Sequence, residues 1–458
     1  MNRKIRIVDL LLIFLTVIMF AYISLRTNYF FHTLVLFIYI FYLIWLYISH
    51  KKFFLIFIFM IIYMASNILG VYVIEINPNM YLNELLKFSS NNNSLFLIII
   101  YHMLFTEVLR YLYKKFSFSD IQYDTKNLKL IKLVGIAILL LVVILFVNVI
   151  KNPYFLLGVD RFFYEEYYLN SFIVKINNIV FYLLPITTCL ILYSKNKIDL
   201  LIGYTTISFF SLYLIWIGHK FSMLLIIGYF ILLGLNFMIN DKMINKYLGR
   251  FFSIIAVLLI LVLVQSSIVY DRDKDENLNY LNARLAQQGQ LWWAIYGNES
   301  KQKTIDKNLN DEVKTFYQIK DNENNRLNAG MYKVMREVIP ENLFLQKIYS
   351  KKSRYAYSTP ASIYFYFGAI GMLVFSIISA VAYFLIIKTL LNAVVNRQII
   401  TMIISGRLLF LSHFVLMQSD FDKIFSIEIL FILLFFVMKY LIVHKRIIVR
   451  GKINATDS

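Results

Sequence analysis

Arg284, Gln288 and Trp292 stand four residues apart, so on a helix they would share one face. Together they offer a guanidinium fork for phosphate, an amide for a hydroxyl and an indole plane for stacking, a set suited to a phosphorylated sugar. The plainer reading makes the tryptophan an interface anchor. Arg161 stands in a second cluster with Asp160, Glu165, Glu166 and a run of aromatics. It suits an anion, against a bland reading of an interfacial belt with solvated charges. Gly218, His219 and Lys220 form a tight turn with two cation-capable side chains before an apolar run. That is a place for an anion, or simply a polar turn. Asp271, Asp273 and Asp275 invite a calcium loop. An EF-hand needs Gly and Glu where this chain has Glu276 and Asn282, so no metal site is read there. Neither a cofactor motif nor Cys-metal chemistry is expected, because the single cysteine, Cys189, lies inside an apolar run.

The elements that would position these residues are transmembrane helices. Hydrophobic residues make up 60% of the chain and mean hydropathy is +0.66, which excludes an ordinary soluble domain. Runs long enough to cross the bilayer fall at 8–25, 29–48, 53–73, 94–113, 130–150, 171–193, 198–216, 221–238, 250–269, 360–387, 400–418 and 424–443. An all-α polytopic protein of about twelve helices is the expectation. Helices 1–9 lie in residues 1–269, one long loop in 270–357, helices 10–12 in 358–444 and a tail in 445–458. Short loops rich in Lys and Arg alternate with poor ones, which places both termini in the cytoplasm and the long loop outside. The net charge of +19 is largely this topology signal. It is spread along one rim, which argues for anionic lipid headgroups and against nucleic acid. The first run is too long for a removable signal peptide and lacks a small-residue cleavage site.

Within the long loop, residues 300–325 read as polar and flexible. Met331, Val334, Met335 and Val338 give 327–348 an amphipathic pattern suited to the headgroup layer. Arg407 interrupts an apolar run, a costly placement that a partner, a wet cavity or snorkelling would relieve. His102 and His413 read as packing residues. Asn and Tyr are abundant throughout the chain and carry little weight individually.

The chain resembles bacterial O-antigen or capsule repeat-unit polymerases of the Wzy type. The likeness lies in its helix count with cytoplasmic ends, its long late external loop, and the strings running from Arg284 to Trp293 and from Ser362 to Gly371. The resemblance implies a metal-independent membrane glycosyltransferase with a GT-C-like architecture in the bacterial cytoplasmic membrane, acting on its outer face. A glycan on undecaprenyl pyrophosphate would pass to an incoming lipid-linked repeat unit, with a chain-length regulator and a flippase as partners. Arg161 and Arg284 would stabilise the departing pyrophosphate, Glu165, Glu166 or His219 would act as base, and Arg272, Gln288, Trp292, Arg354 and Lys220 would bind substrate. A ligase of the same topology is the alternative, disfavoured by a long loop without histidine. A lipid-linked oligosaccharide flippase is another, disfavoured by the length of that loop.

Overall fold

The computed structural model describes residues 29–116, 128–150, 157, 164–165, 167–194, 196–218, 221–238, 249, 253, 257, 260, 282–297, 330–346, 355, 358–424 and 428–438. The expected runs at 8–25 and, apart from single residues, 250–269 lie outside them. Among the described residues eight helices are long and apolar enough to cross a membrane. These are α1 (Phe30–Ser49, starting at Tyr29 by its backbone), α2 (Lys51–Ile76), α3 (Ser94–Lys115), α4 (Leu128–Ile150), α5 (Ser171–Tyr193), α6 (Lys197–Trp216), α11 (Thr359–Val395) and α12 (Ile399–Gln418). An apolar helix α7 (Phe221–Met238) follows α6, and a shorter one, α13 (Glu428–Met438), follows α12. The short helices α8 (Gln290–Gly297), α9 (Gly330–Val338) and α10 (Glu341–Leu345) come from the long loop. The sole sheet among the described residues is a two-stranded hairpin, Tyr81–Leu82 against Lys87–Phe88.

Lipid, not water, accounts for the outer surface. On α4, Ile131, Ile138, Val142 and Leu145 are buried, while Leu133, Leu140 and Val147 are exposed. Both faces are apolar, the pattern of a helix with protein on one side and hydrocarbon on the other. The chain is an all-α membrane protein. Its 37-residue α11 is too long for one straight crossing, and it breaks at Gly368, where φ is 66°.

The helices sort their charges to two ends. Lys115 and Lys388 both lie over the Phe116 ring, at 5.7 and 4.7 Å, which brings the end of α3 beside α11. Lys132 meets Asp199 at 2.9 Å, which joins the starts of α4 and α6. Lys115 and Lys388 belong to the short-loop set that the sequence places on one side. At the opposite end, Ser358 N–H donates to the Met417 carbonyl at 2.9 Å and Ser419 is hydrogen-bonded to Ser362. In the interior α11 packs against α3 and α12, α12 against α5, and α5 against α4 and α6.

Candidate functional site

The stretch from Arg284 to Trp293 is not one continuous helix. A turn over 287–289 separates helical residues 282–286 from α8, so Arg284, Gln288 and Trp292 do not share a single helical face. This corrects the expected stacking platform, and the physical reason is a backbone contact. A Cβ on Gly70 would sit 2.5 Å from the Leu285 carbonyl oxygen, and one on Gly289 would sit 2.3 Å from the Val71 nitrogen. The two glycines let the loop segment lie directly against α2.

α8 is then seated by hydrogen bonds. Trp292 is 0% exposed and its indole donates to the Ser94 carbonyl at 2.9 Å, while Trp293 donates to the Ser90 carbonyl at 2.9 Å. Asn67 donates to the Gln288 carbonyl at 2.5 Å and accepts a contact from His102 at 3.2 Å. Gln290 donates to Glu84, whose backbone carbonyl accepts from the Tyr355 hydroxyl. Burial and the neighbouring Glu84 push the Tyr355 phenol above its usual range, so it stays a donor. Beneath this seat Glu75 accepts from Ser94 N–H at 2.6 Å and Ser94 Oγ at 2.7 Å. His32 Nδ1 lies 2.9 Å from the other Glu75 oxygen, a contact without hydrogen-bond alignment. α9 also joins the bundle. Its stripe of Met331, Val334, Met335 and Val338 is buried and the helix packs on α8 and α11, so the apolar face meets protein where headgroups were expected.

The polar space lies elsewhere. A cavity of about 290 Å³ opens among α5, α6 and α12 and is lined by Glu165, Asn177, Asn178, Tyr182, Tyr213, Arg407, Phe410, Phe414 and Lys423. Gly406 permits the close approach of α12 to α5. A Cβ there would meet the Tyr182 carbonyl oxygen at 3.1 Å and the Pro185 ring at 3.3 Å. The next residue, Arg407, thereby lies over the Tyr182 ring at 4.3 Å. Its guanidinium also forks onto Glu428, with Nη2 2.7 Å from one oxygen and Nε 2.5 Å from the other. Arg407 therefore has a partner and a cavity, and the snorkelling reading is not needed. Lys423 Nζ stands 5.4 Å over the Phe414 ring, at the end of the bundle where α12 finishes.

Two groups in the lining lack a hydrogen-bond partner among the described residues. They are Asn177 Oδ1 and the Tyr213 hydroxyl, both buried. Buried polar atoms are nearly always bonded, so these point to something the space is shaped to receive. Glu165 is near enough to the Tyr213 hydroxyl to act on it electrostatically. Beside it, Tyr164 is buried and stacks on Tyr168 at 5.4 Å, and burial pushes its phenol up to about 12, so it is neutral at pH 7.

Of the residues expected to do chemistry, Glu165 lines the cavity. Arg284 does not. It is half-buried and donates to the Gln287 side chain at 2.9 Å. Arg161, His219, Lys220, Arg272 and Arg354 lie outside the described residues. Asn177, Tyr213, Lys423 and Glu428 were not singled out from sequence. A signal for one pair existed: arginine and glutamate of opposite charge interrupt or abut consecutive apolar runs at 407 and 428.

A model of a family of unknown function (DUF6418) matches residues 324–433, the part of the chain that supplies Arg407, Lys423 and Glu428. No curated protein and no solved structure matches the chain.

Proposed function

We propose that the chain polymerises lipid-linked oligosaccharide repeat units, as its resemblance to Wzy-type polymerases implies, and that the cavity among α5, α6 and α12 is where the reacting groups meet. The observation that carries this is the composition of the lining. Arg407 and Lys423 suit a phosphate, Tyr182 and Phe410 give apolar ring faces, Asn177 and Tyr213 have unused hydrogen-bonding capacity, and Glu165 is a carboxylate. That inventory matches a phosphorylated sugar held at a membrane.

In this reading the acceptor hydroxyl gives its proton to Glu165 as its oxygen bonds to the anomeric carbon. The bond from that carbon to the pyrophosphate oxygen breaks, and the pyrophosphate leaves with the electron pair. Arg407 and Lys423 stabilise the charge that develops on it. Glu428 holds the Arg407 fork until the phosphate arrives. With 42% of its side chain exposed, against 23% for Arg407, it is the partner free to move aside. Arg161, four residues before Glu165, is a further anion contact in this scheme. The lysines and arginines at the other end of the bundle support this reading, since the charge rule would then leave the cavity end on the outer face.

The test is the size distribution of surface and lipid-linked glycan in a strain lacking the gene. Surface glycan stopping at one repeat unit is the expected result. Long polymer stranded on the carrier lipid, or precursors held on the cytoplasmic face, would sink the polymerase reading.

A further inference from the structure

Arg397 lies in the turn between α11 and α12 and is only 5% exposed. Its Nε and Nη1 have no hydrogen-bond partner, and no carboxylate pairs with it among the described residues. Its guanidinium lies over the face of Tyr193, at the end of α5, with the guanidinium carbon 4.5 Å from the ring centroid, and acts electrostatically on the buried Cys189 of the same helix. Other arginines in the structure are provided for: Arg110 by Glu107, Arg336 by Glu341 and Arg407 by Glu428. A ring face alone does not replace the hydration of a buried cation.

The backbone at the same residue is also unusual. Arg397 has φ 52°, the left-handed region, directly after the C-cap of α11. Gln398 N–H closes back to the Ala393 carbonyl at 2.9 Å, the helix-ending arrangement in which that position favours glycine. An arginine held there carries two costs, backbone strain and an unpaired buried charge. α12, a twenty-residue helix, begins in the same turn, and its N-cap Gln398 makes no side-chain cap. The turn belongs to the cation-rich end of the bundle, on the same long helix as Lys388.

We infer that Arg397, with Tyr193 as one wall and the start of α12 beside it, is an anion site for a phosphate group. A phospholipid headgroup and free phosphate present the same chemistry to a guanidinium fork. The site is separate from the cavity of the proposed function and stands or falls independently of it.

The full-length protein in neutral detergent tests it through thermal unfolding. One arm adds phosphatidylglycerol or phosphatidylcholine. The other adds inorganic phosphate or chloride at equal ionic strength. Wild type is compared with Arg397→Gly, which suits the left-handed backbone and should fold, and with Arg397→Gln as a second charge-free variant. Phosphatidylglycerol should raise the wild-type Tm where phosphatidylcholine does not, and half-saturation should require roughly tenfold more of it in the variants. A rise with inorganic phosphate that both variants lose would assign the site to a free anion. Equal responses of wild type and variants, or no wild-type response in either arm, would overturn the inference.

Discussion

The seat of α8 and the cavity among α5, α6 and α12 are built from similar residues to opposite ends. Both mix tryptophan or tyrosine with amides and a carboxylate. In the seat the indoles of Trp292 and Trp293 and the side chains of Asn67 and Gln290 have partners, one Glu75 oxygen is bonded to Ser94 while the other has only the His32 contact, and backbone meets backbone at Gly70 and Gly289. In the cavity Asn177 and Tyr213 are left with unused atoms around about 290 Å³ of space. Composition therefore does not separate an anchor from a binding site. Open space does: the seat is closed by backbone contact at Gly70 and Gly289, whereas about 290 Å³ lies open beside the unused atoms of Asn177 and Tyr213.

That contrast can be broken by substitution, and the largest effect is expected in the seat. Trp292→Ala should destabilise the protein by about 3–5 kcal/mol, visible as loss of the protein from membranes and a lowered Tm. Glycan chain length should fall only as far as abundance does. In the cavity, Arg407→Ala should cut chain extension by about 10²–10³-fold at matched abundance, as read from the glycan ladder. Near-normal ladders would remove Arg407 from the site. Glu428→Gln sharpens the point: it frees the fork, so extension should persist where Arg407→Ala loses it. Tyr213→Phe deletes an unpaired buried hydroxyl, and should leave stability unchanged or raised by up to about 1 kcal/mol. Its rate should nonetheless fall by roughly tenfold, a split no purely structural tyrosine would give. Arg284→Ala should do least, within about 0.5 kcal/mol of wild type and with a near-normal ladder, since Arg284 donates to Gln287 in its own segment and lies outside the lining.

Helix positions were the legible part of the fold, because apolar length alone decides a crossing. The runs read at 171–193 and 198–216 correspond to Ser171–Tyr193 and Lys197–Trp216. Ends were less legible where helices continue past the apolar stretch. The run read at 360–387 belongs to a helix that reaches Val395, and Lys388 does not stop it. Eight of the twelve expected crossings are present among the described residues, with α7 and the short α13 beside them.

The site was legible only in part. Glu165 stood out as a carboxylate among aromatics and does line the cavity. Trp292 stood out equally and is buried in the core, because its fate depends on Gly70 in a helix more than two hundred residues earlier. No local spacing encodes that contact. Asn177 and Tyr213 were hidden by the abundance of asparagine and tyrosine throughout the chain. Their importance comes from lacking a partner, which only the packed structure reveals.

The central claim is that the cavity holds the lipid-linked glycan. The most direct measurement places a cysteine at Asn178, an exposed residue of the lining, in a Cys189→Ser background that removes the native thiol. Labelling by a membrane-impermeant maleimide is then followed in intact spheroplasts with and without lipid-linked repeat units. The account predicts labelling from outside that slows sharply when the lipid-linked substrate is present. Labelling at the same rate with and without substrate, or none from the outer face, would contradict it.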